Sequence, residues 1–190
     1  MLCQIVNIAT GETKEASNLD WGTSPVLDTY EDKIIIWVDH SKSINLYDCV
    51  TDASIQLYNM DPKSTDIINN GCIANNSFYF IEGSQYGILK VIEDFDIGED
   101  LSAKQVEGAN RNIITVDIIS DTLICAVRER SESRDSVSFY YISPDRQLAQ
   151  LATWEDSHYW SLGSLRMTVA DGLLAACLTT QDDVFTYEFT

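Results

Sequence analysis

The chain has 190 residues, 45% of them apolar and 10% aromatic, enough for one domain with an ordinary core or for a piece of a larger one. Thirty acidic residues against 12 basic ones leave a net charge of −18. That balance argues against nucleic acid and anionic membranes as partners, because phosphates must be met by a basic surface; a basic partner, a cation or a merely solubilising acidic surface is compatible with it.

In chain order, residues 2–8 are apolar, 10–12 (TGE) form a tight turn, and 13–16 start a return strand. Strands are predicted over 26–30, 33–38 (KIIIWV), 44–49 and 54–58, with a loop at 40–43 and a turn at Thr51-Asp52. A connector begins at Asp61-Pro62. Strands follow at 71–74, 78–81 and 88–92, with a turn at Asn75-Asn76, a loop at 82–86, an acidic loop at 93–100 and a weaker strand over 101–106. The clearest unit comes next. Apolar runs at 113–119, 123–127, 137–142 and 147–152 are separated by Asp121, a polar loop 128–135 and a turn 143–146. Runs at 165–169, 173–178 and 184–189 close the chain, with breaks at Asp171-Gly172 and Gln181-Asp182. No segment shows 3.6-residue periodicity, so almost no helix is expected.

The second strands centre near Ile35, Phe80, Leu123 and Ala175, a spacing of roughly 45 residues that belongs to propellers and arrays. The repeat units are 25–60, 66–108, 112–153 and 162–190, with 1–18 a partial unit of the same single domain. The fold class expected is all-β, built of four-stranded antiparallel repeats of the β-propeller type. Each sheet would then bury both faces, which explains the near-continuous apolar runs at 34–38 and 173–178.

Residues 5–12 (IVNIATGE) resemble the third strand and "TGE" turn of β-propeller repeat proteins, and INLYD at 44–48 is similar to the strand that ends in Trp-Asp in WD repeats. The chain lacks the Gly-His and Trp-Asp dipeptides and a repeated histidine. The resemblance is therefore to a divergent, WD-repeat-like propeller without that family's hydrogen-bonded tetrad. More loosely it resembles the propeller domains of fungal F-box proteins, without the F-box helices. It implies about four blades or part of a larger ring. If residues 2–8 are a third strand, the chain is a fragment; if they are a fourth strand, they complete the last blade beside 184–189. The rarity of four-blade rings favours the fragment.

Five cysteines, Cys3, Cys49, Cys72, Cys125 and Cys177, lie in or beside apolar runs without a C-x-x-C pair. They read as buried thiols of a reducing compartment, with a Cys49–Cys72 disulfide as the lesser alternative. Met1 to Thr10 lacks the basic start of a signal peptide, and no run approaches the roughly 18 apolar residues of a membrane span. A cytoplasmic or nuclear protein is expected, for which the sequon at Asn75-Asn76-Ser77 carries no weight.

In a propeller, the turns between second and third strands and the connectors between blades emerge on one face. That face would carry Trp21, His40, Lys42, the 128–134 loop with Arg128 and Arg130, and 154–160 (WEDSHYW). Exposed Trp, Tyr and Arg are enriched where interfaces hold their binding energy. The candidate binding residues are Trp21, His40, Arg128, Arg130, His158, Tyr159 and Trp160; alternatively the tryptophans pack between blades and His158 is a loop residue. The 128–135 stretch could grip an acidic peptide or be modified at Ser131 and Ser133, or simply neutralise itself. Carboxylates alternate over 94–100, as calcium loops require, but in a different order, so no metal is expected. Asp39-His40-Ser41 is consecutive and its side chains diverge, and no phosphate loop, zinc cluster or nucleophile elbow is present. The expectation is a non-enzymatic protein- or peptide-binding scaffold without cofactors, acting within a larger complex or longer chain. The alternatives are a carbohydrate-active or carbohydrate-binding propeller with an acidic channel, and a structural subunit.

Overall fold

The computed structural model describes residues 4–16, 26–83, 86–96, 101–109, 112–119, 122–130, 135–156, 164–170, 173–179 and 184–189. These residues are all strand, turn and loop, and the sheets are antiparallel throughout. A hairpin of β1 (Gln4–Val6) and β2 (Thr13–Glu15) precedes the first four-stranded sheet. That sheet runs in simple order through β3 (Val26–Tyr30), β4 (Lys33–Val38), β5 (Ser43–Asp48) and β6 (Ala53–Asn59). The second contains β7 (Ile67–Ala74), β8 (Ser77–Gly83), β9 (Gly87–Glu93) and the two-residue β10 (Lys104–Gln105). The third contains β11 (Ile113–Ile119), β12 (Thr122–Arg130), β13 (Asp135–Ile142) and β14 (Leu148–Asp156). A single residue pair, Ile113 with Gly87, joins the second and third sheets at their margins. β15 (Ser164–Ala170), β16 (Leu173–Thr179) and β17 (Val184–Phe189) form the last, three-stranded sheet.

Side chains alternate across each strand, so one run can serve two cores. Ile36, Val38 and Tyr47 face the hairpin, where Ile5 and Ala16 pack on them. Their neighbours Ile35, Trp37, Ile44 and Leu46 face the second sheet and meet Phe78, Phe80 and Ile92. Tyr79, Ile81, Leu89 and Val91, on the opposite side of the second sheet, pack against Leu123 and Cys125 of the third. Ile124, Ala126 and Phe139, the alternate residues of the third sheet, are buried as well. The first three sheets therefore stack in series with both faces covered. Full burial of one such Ile, Leu or Phe stabilises by about 1.5–3 kcal/mol.

First strands lie beside first strands: β3 against β7, β7 against β11, β11 against β15. Each of the first three carries a register shift, at Val26/Asp28, Ile68/Gly71 and Ile113/Thr115. Polar side chains bridge the gaps that no ladder closes. Asp28 Oδ2 accepts the Ile73 amide at 2.7 Å, and Asn70 Oδ1 accepts the Val116 amide at 2.9 Å.

The turns follow local chemistry. Asn75 and Asn76 both take positive φ, 47° and 57°, the conformation that a two-residue hairpin turn with right-handed strand twist requires and that Asn tolerates. Gly87 has a different reason. A Cβ there would lie 2.6 Å from Ile81 Cγ2 and collide with the Glu82 carbonyl, so β8 and β9 close tightly only around a glycine.

Several expectations are corrected. The predicted 128–135 loop is shorter at both ends, because β12 runs through Arg128 to Arg130 and pairs with β13 from Asp135. Residues 154–156 are not loop: they continue β14, with Trp154 opposite Val137. The 101–106 strand shrinks to Lys104–Gln105, because Leu101 bonds back to the Leu57 carbonyl at 2.7 Å instead of joining the ladder. The 71–74 strand begins earlier, at Ile67. Cys49 and Cys72 belong to different cores and form no disulfide.

Candidate functional site

Three cross-links place the described second-to-third-strand turns and inter-sheet connectors of the first three sheets at one end of the stack, here the connector end. In the first sheet the turn 39–42 carries His40, which is exposed, and Lys42, at φ 52°. Lys42 Nζ donates to Asp39 Oδ1 at 2.8 Å and to the Asp66 carbonyl at 3.2 Å, tying this turn to the connector that leads into β7. It stands 5.8 Å from the Trp37 ring centroid.

The second cross-link joins the first and second sheets. Lys90 Nζ donates to Glu82 Oε2 at 2.6 Å and to Tyr58 OH at 3.1 Å, and Tyr58 OH donates to Glu82 Oε2 at 3.0 Å. The lysine also lies over the Tyr58 ring, 5.5 Å from its centroid. Burial pulls the Lys90 ammonium down, but its hydrogen bonds to Glu82 and Tyr58 outweigh that and raise its pKa. Burial raises the Tyr58 phenol, against a smaller lowering by Lys90. Both groups therefore keep their ordinary protonation at neutral pH. This trio holds a charge pair in place between the two sheets.

The third cross-link joins the second and third sheets. Arg128 lies over the Tyr86 ring at 5.1 Å and donates through Nη1 to its hydroxyl. Its own backbone amide bonds to the Asn112 carbonyl at 2.8 Å. The connector end thus carries a cation on an aromatic ring in the first sheet and at each of the next two junctions. Such contacts contribute about 0.5–1 kcal/mol when exposed and more when desolvated.

The opposite end, where the chain turns from first to second and from third to fourth strands (here the hairpin end), is built differently. Tyr30 stacks edge-on against Phe95 at 5.1 Å and donates to Asp96 Oδ2 at 3.5 Å. Glu93 is gripped by Lys104 and Arg146, across the second and third sheets. Asp94 Oδ1 takes the Asn76 side-chain amide at 3.0 Å. The acidic loop considered for calcium is thus anchored by the wholly buried Phe95; Asp94 Oδ1 and Asp96 Oδ2 accept from Asn76 and Tyr30, while Asp96 Oδ1 is buried without a partner. Among the described residues no group of three or more His, Cys, Asp or Glu could hold a metal. Asp28, an acid on a first strand, is occupied by the amides of Thr29 and Ile73.

Of the predicted site residues, His40 and Arg128 lie at the connector end. Arg128 reaches it from a strand, half-buried, and not from a loop. Arg130 is the last residue of β12. Trp21, His158, Tyr159 and Trp160 lie outside the described residues. Sequence reasoning missed Tyr58, Glu82, Tyr86 and Lys90. A signal existed for two of them: Lys90 is the lone cation in GILKVIE, and Glu82 pairs with Ile88, two residues away on the same face.

Neither family models nor the sequences of curated proteins give a match to this chain.

Proposed function

We infer that the chain is a divergent, WD-repeat-like β-propeller module that binds a protein or peptide partner through its connector end, without enzymatic activity or a cofactor. The observation that carries this reading is the serial stacking of sheets. When both faces of a sheet are buried, function must sit at the ends, and the connector end presents loops braced by three cation–aromatic contacts. A rigid base under adaptable loops is the usual arrangement of a recognition surface. The buried thiols of Cys72 and Cys125 fit a reducing compartment, cytoplasm or nucleus.

The test uses exposed residues, among them Lys63 of the connector between β6 and β7, with matched thermal melts to separate lost binding from lost fold. Partners captured by the full chain in cells are compared by mass spectrometry with those of His40→Glu/Lys63→Glu, at the connector end, and Asp145→Lys, at the hairpin end. A partner lost with the first variant and kept with the second supports the reading. Equal retention by both, or loss with Asp145→Lys alone, refutes it.

A further inference from the structure

The hairpin β1–β2 leaves open what the larger sheets close. Among the described strands β1 pairs with β2 alone, so its outer edge presents amide and carbonyl groups with no ladder partner. Ile5 packs inward on the first sheet. Val6 is 52% exposed, Ile8 99% and Val50 66%. These three line an open groove of about 780 Å³ between the hairpin and the β5–β6 turn, rimmed by Glu12 and Asp32. An unpaired edge of this kind is a template for strand addition. Apolar side chains gathered beside it supply the pockets that give such addition its specificity.

Charge selects the occupant. The groove lies at the hairpin end, whose turns expose Glu12, Glu31, Asp32, Asp94 and Asp145. Of the described cations nearby, Lys104 and Arg146 are paired with Glu93, and Lys33 stands 6.0 Å from the Tyr30 ring. Lys14, which itself lines the groove, donates from Nζ to the Val50 carbonyl at 2.8 Å; with Glu12 and Asp32 the lining still carries a net negative charge. An acidic segment would meet repulsion here, whereas a basic one would be steered in.

We propose that this groove binds an extended basic–apolar segment of a partner protein, added as a strand along β1. Its apolar side chains cover Val6, Ile8 and Val50, and a Lys or Arg sits between Glu12 and Asp32. The site is at the end opposite the loops invoked above and stands or falls without them.

The experiment measures fluorescence anisotropy of two labelled peptides with the full chain, one alternating Val with Lys and the other Val with Glu. The Val–Lys peptide is expected to bind and the Val–Glu peptide to fail. Binding of the Val–Lys peptide should weaken at least about tenfold in Glu12→Lys/Asp32→Lys and again in Ile8→Ser/Val50→Ser. It should hold in Asp145→Lys, which reverses a charge at the same end outside the groove. Hydrogen exchange of the Gln4–Val6 amides should slow at saturation. The proposal is overturned by no binding to wild type, by equal binding of both peptides, or by groove variants no weaker than Asp145→Lys. Unchanged exchange in β1 would also overturn it. The substituted side chains are exposed or rim the groove, and matched thermal melts separate lost binding from lost fold.

Discussion

The junction between the first two sheets turns on one carboxylate. Asp28 Oδ2 accepts the Ile73 amide, 45 residues on, and the next junction repeats the device with Asn70 and Val116, 46 residues apart. Replacing Asp28 by Ala leaves the half-buried Ile73 amide between packed strands without its acceptor. A hydrogen bond to a charged group contributes about 1.5–3 kcal/mol. The Thr29 amide, also released, is exposed and turns to water at little cost. The expected loss is about 2 kcal/mol, or about 4–8 °C in Tm for a chain of this size. Asp28→Asn keeps an acceptor oxygen at the same place, as Asn70 does natively, and should lose under about 1 kcal/mol. Urea unfolding followed by tryptophan fluorescence measures both, since Trp37 is buried in the core between these sheets. If Asp28→Ala unfolds with wild type, or if Asn is as damaging as Ala, the polar bridge does not hold the junction.

Hydrogen bonds from Lys104 and then Arg146 hold the Glu93 carboxyl below its ordinary value of 4.5. A depressed folded pKa means stabilisation present above 4.5 and lost as pH falls through the lowered value. Wild type should therefore lose more urea resistance between about pH 7 and pH 3 than Glu93→Gln; parallel losses would refute the coupling. Burial pushes the Cys125 thiol up to about 12 and that of Cys72 higher still. Because the thiolate is the reactive form, iodoacetamide should modify Cys49 in the native protein and reach Cys72 and Cys125 only after denaturation, as read by peptide mass spectrometry. Gly87→Ala should cost about 1–3 kcal/mol by overpacking the β8–β9 closure, measured from the urea midpoint; a neutral effect would show that this turn opens freely. Lys90→Met strips the compensating charge from Glu82, whose side chain is 17% exposed, and should destabilise more than Lys104→Met, whose lysine is 58% exposed.

The sheets were legible because their code is local. Apolar, β-branched runs between turn signals place 26–30, 33–38, 113–119 and 184–189 at their observed bounds, and Asn75-Asn76 names its own turn. What escaped was everything that crosses between sheets. Arg128 reads as loop because charge follows it in sequence, yet the ladder to Val137 continues and Tyr86 receives the guanidinium. The run Asp94 to Asp96 reads as carboxylates, whereas its decisive residue is Phe95, which packs between Tyr30 and Phe78. Glu82 and Lys90 are neighbours through the β8–β9 register, but Tyr58 comes from the first sheet, and only the stacking brings it within hydrogen-bonding distance of them.

That stacking also assigns the charge of the chain its place. A sheet with two buried faces has little room for carboxylates away from strand ends, Asp28 and Asp117 being described exceptions, so much of the acidic excess falls in turns. The two sets of turns do not share it alike. At the connector end the cations Lys42, Lys90 and Arg128 stand on aromatic rings, each cross-linking neighbouring segments. At the hairpin end Lys33 also stands near a ring, that of Tyr30, but Lys104 and Arg146 are drawn onto one glutamate, while Glu31, Asp32 and Asp145 stay exposed. Long-range steering depends on the uncompensated charge, and salt screens it over about 8–10 Å. The hairpin end should therefore recruit basic segments with strong salt dependence. Recognition at the connector end, resting on aromatic contact, should change little over the same salt range. Measuring each end's binding across that range distinguishes the two surfaces without knowing either partner beforehand.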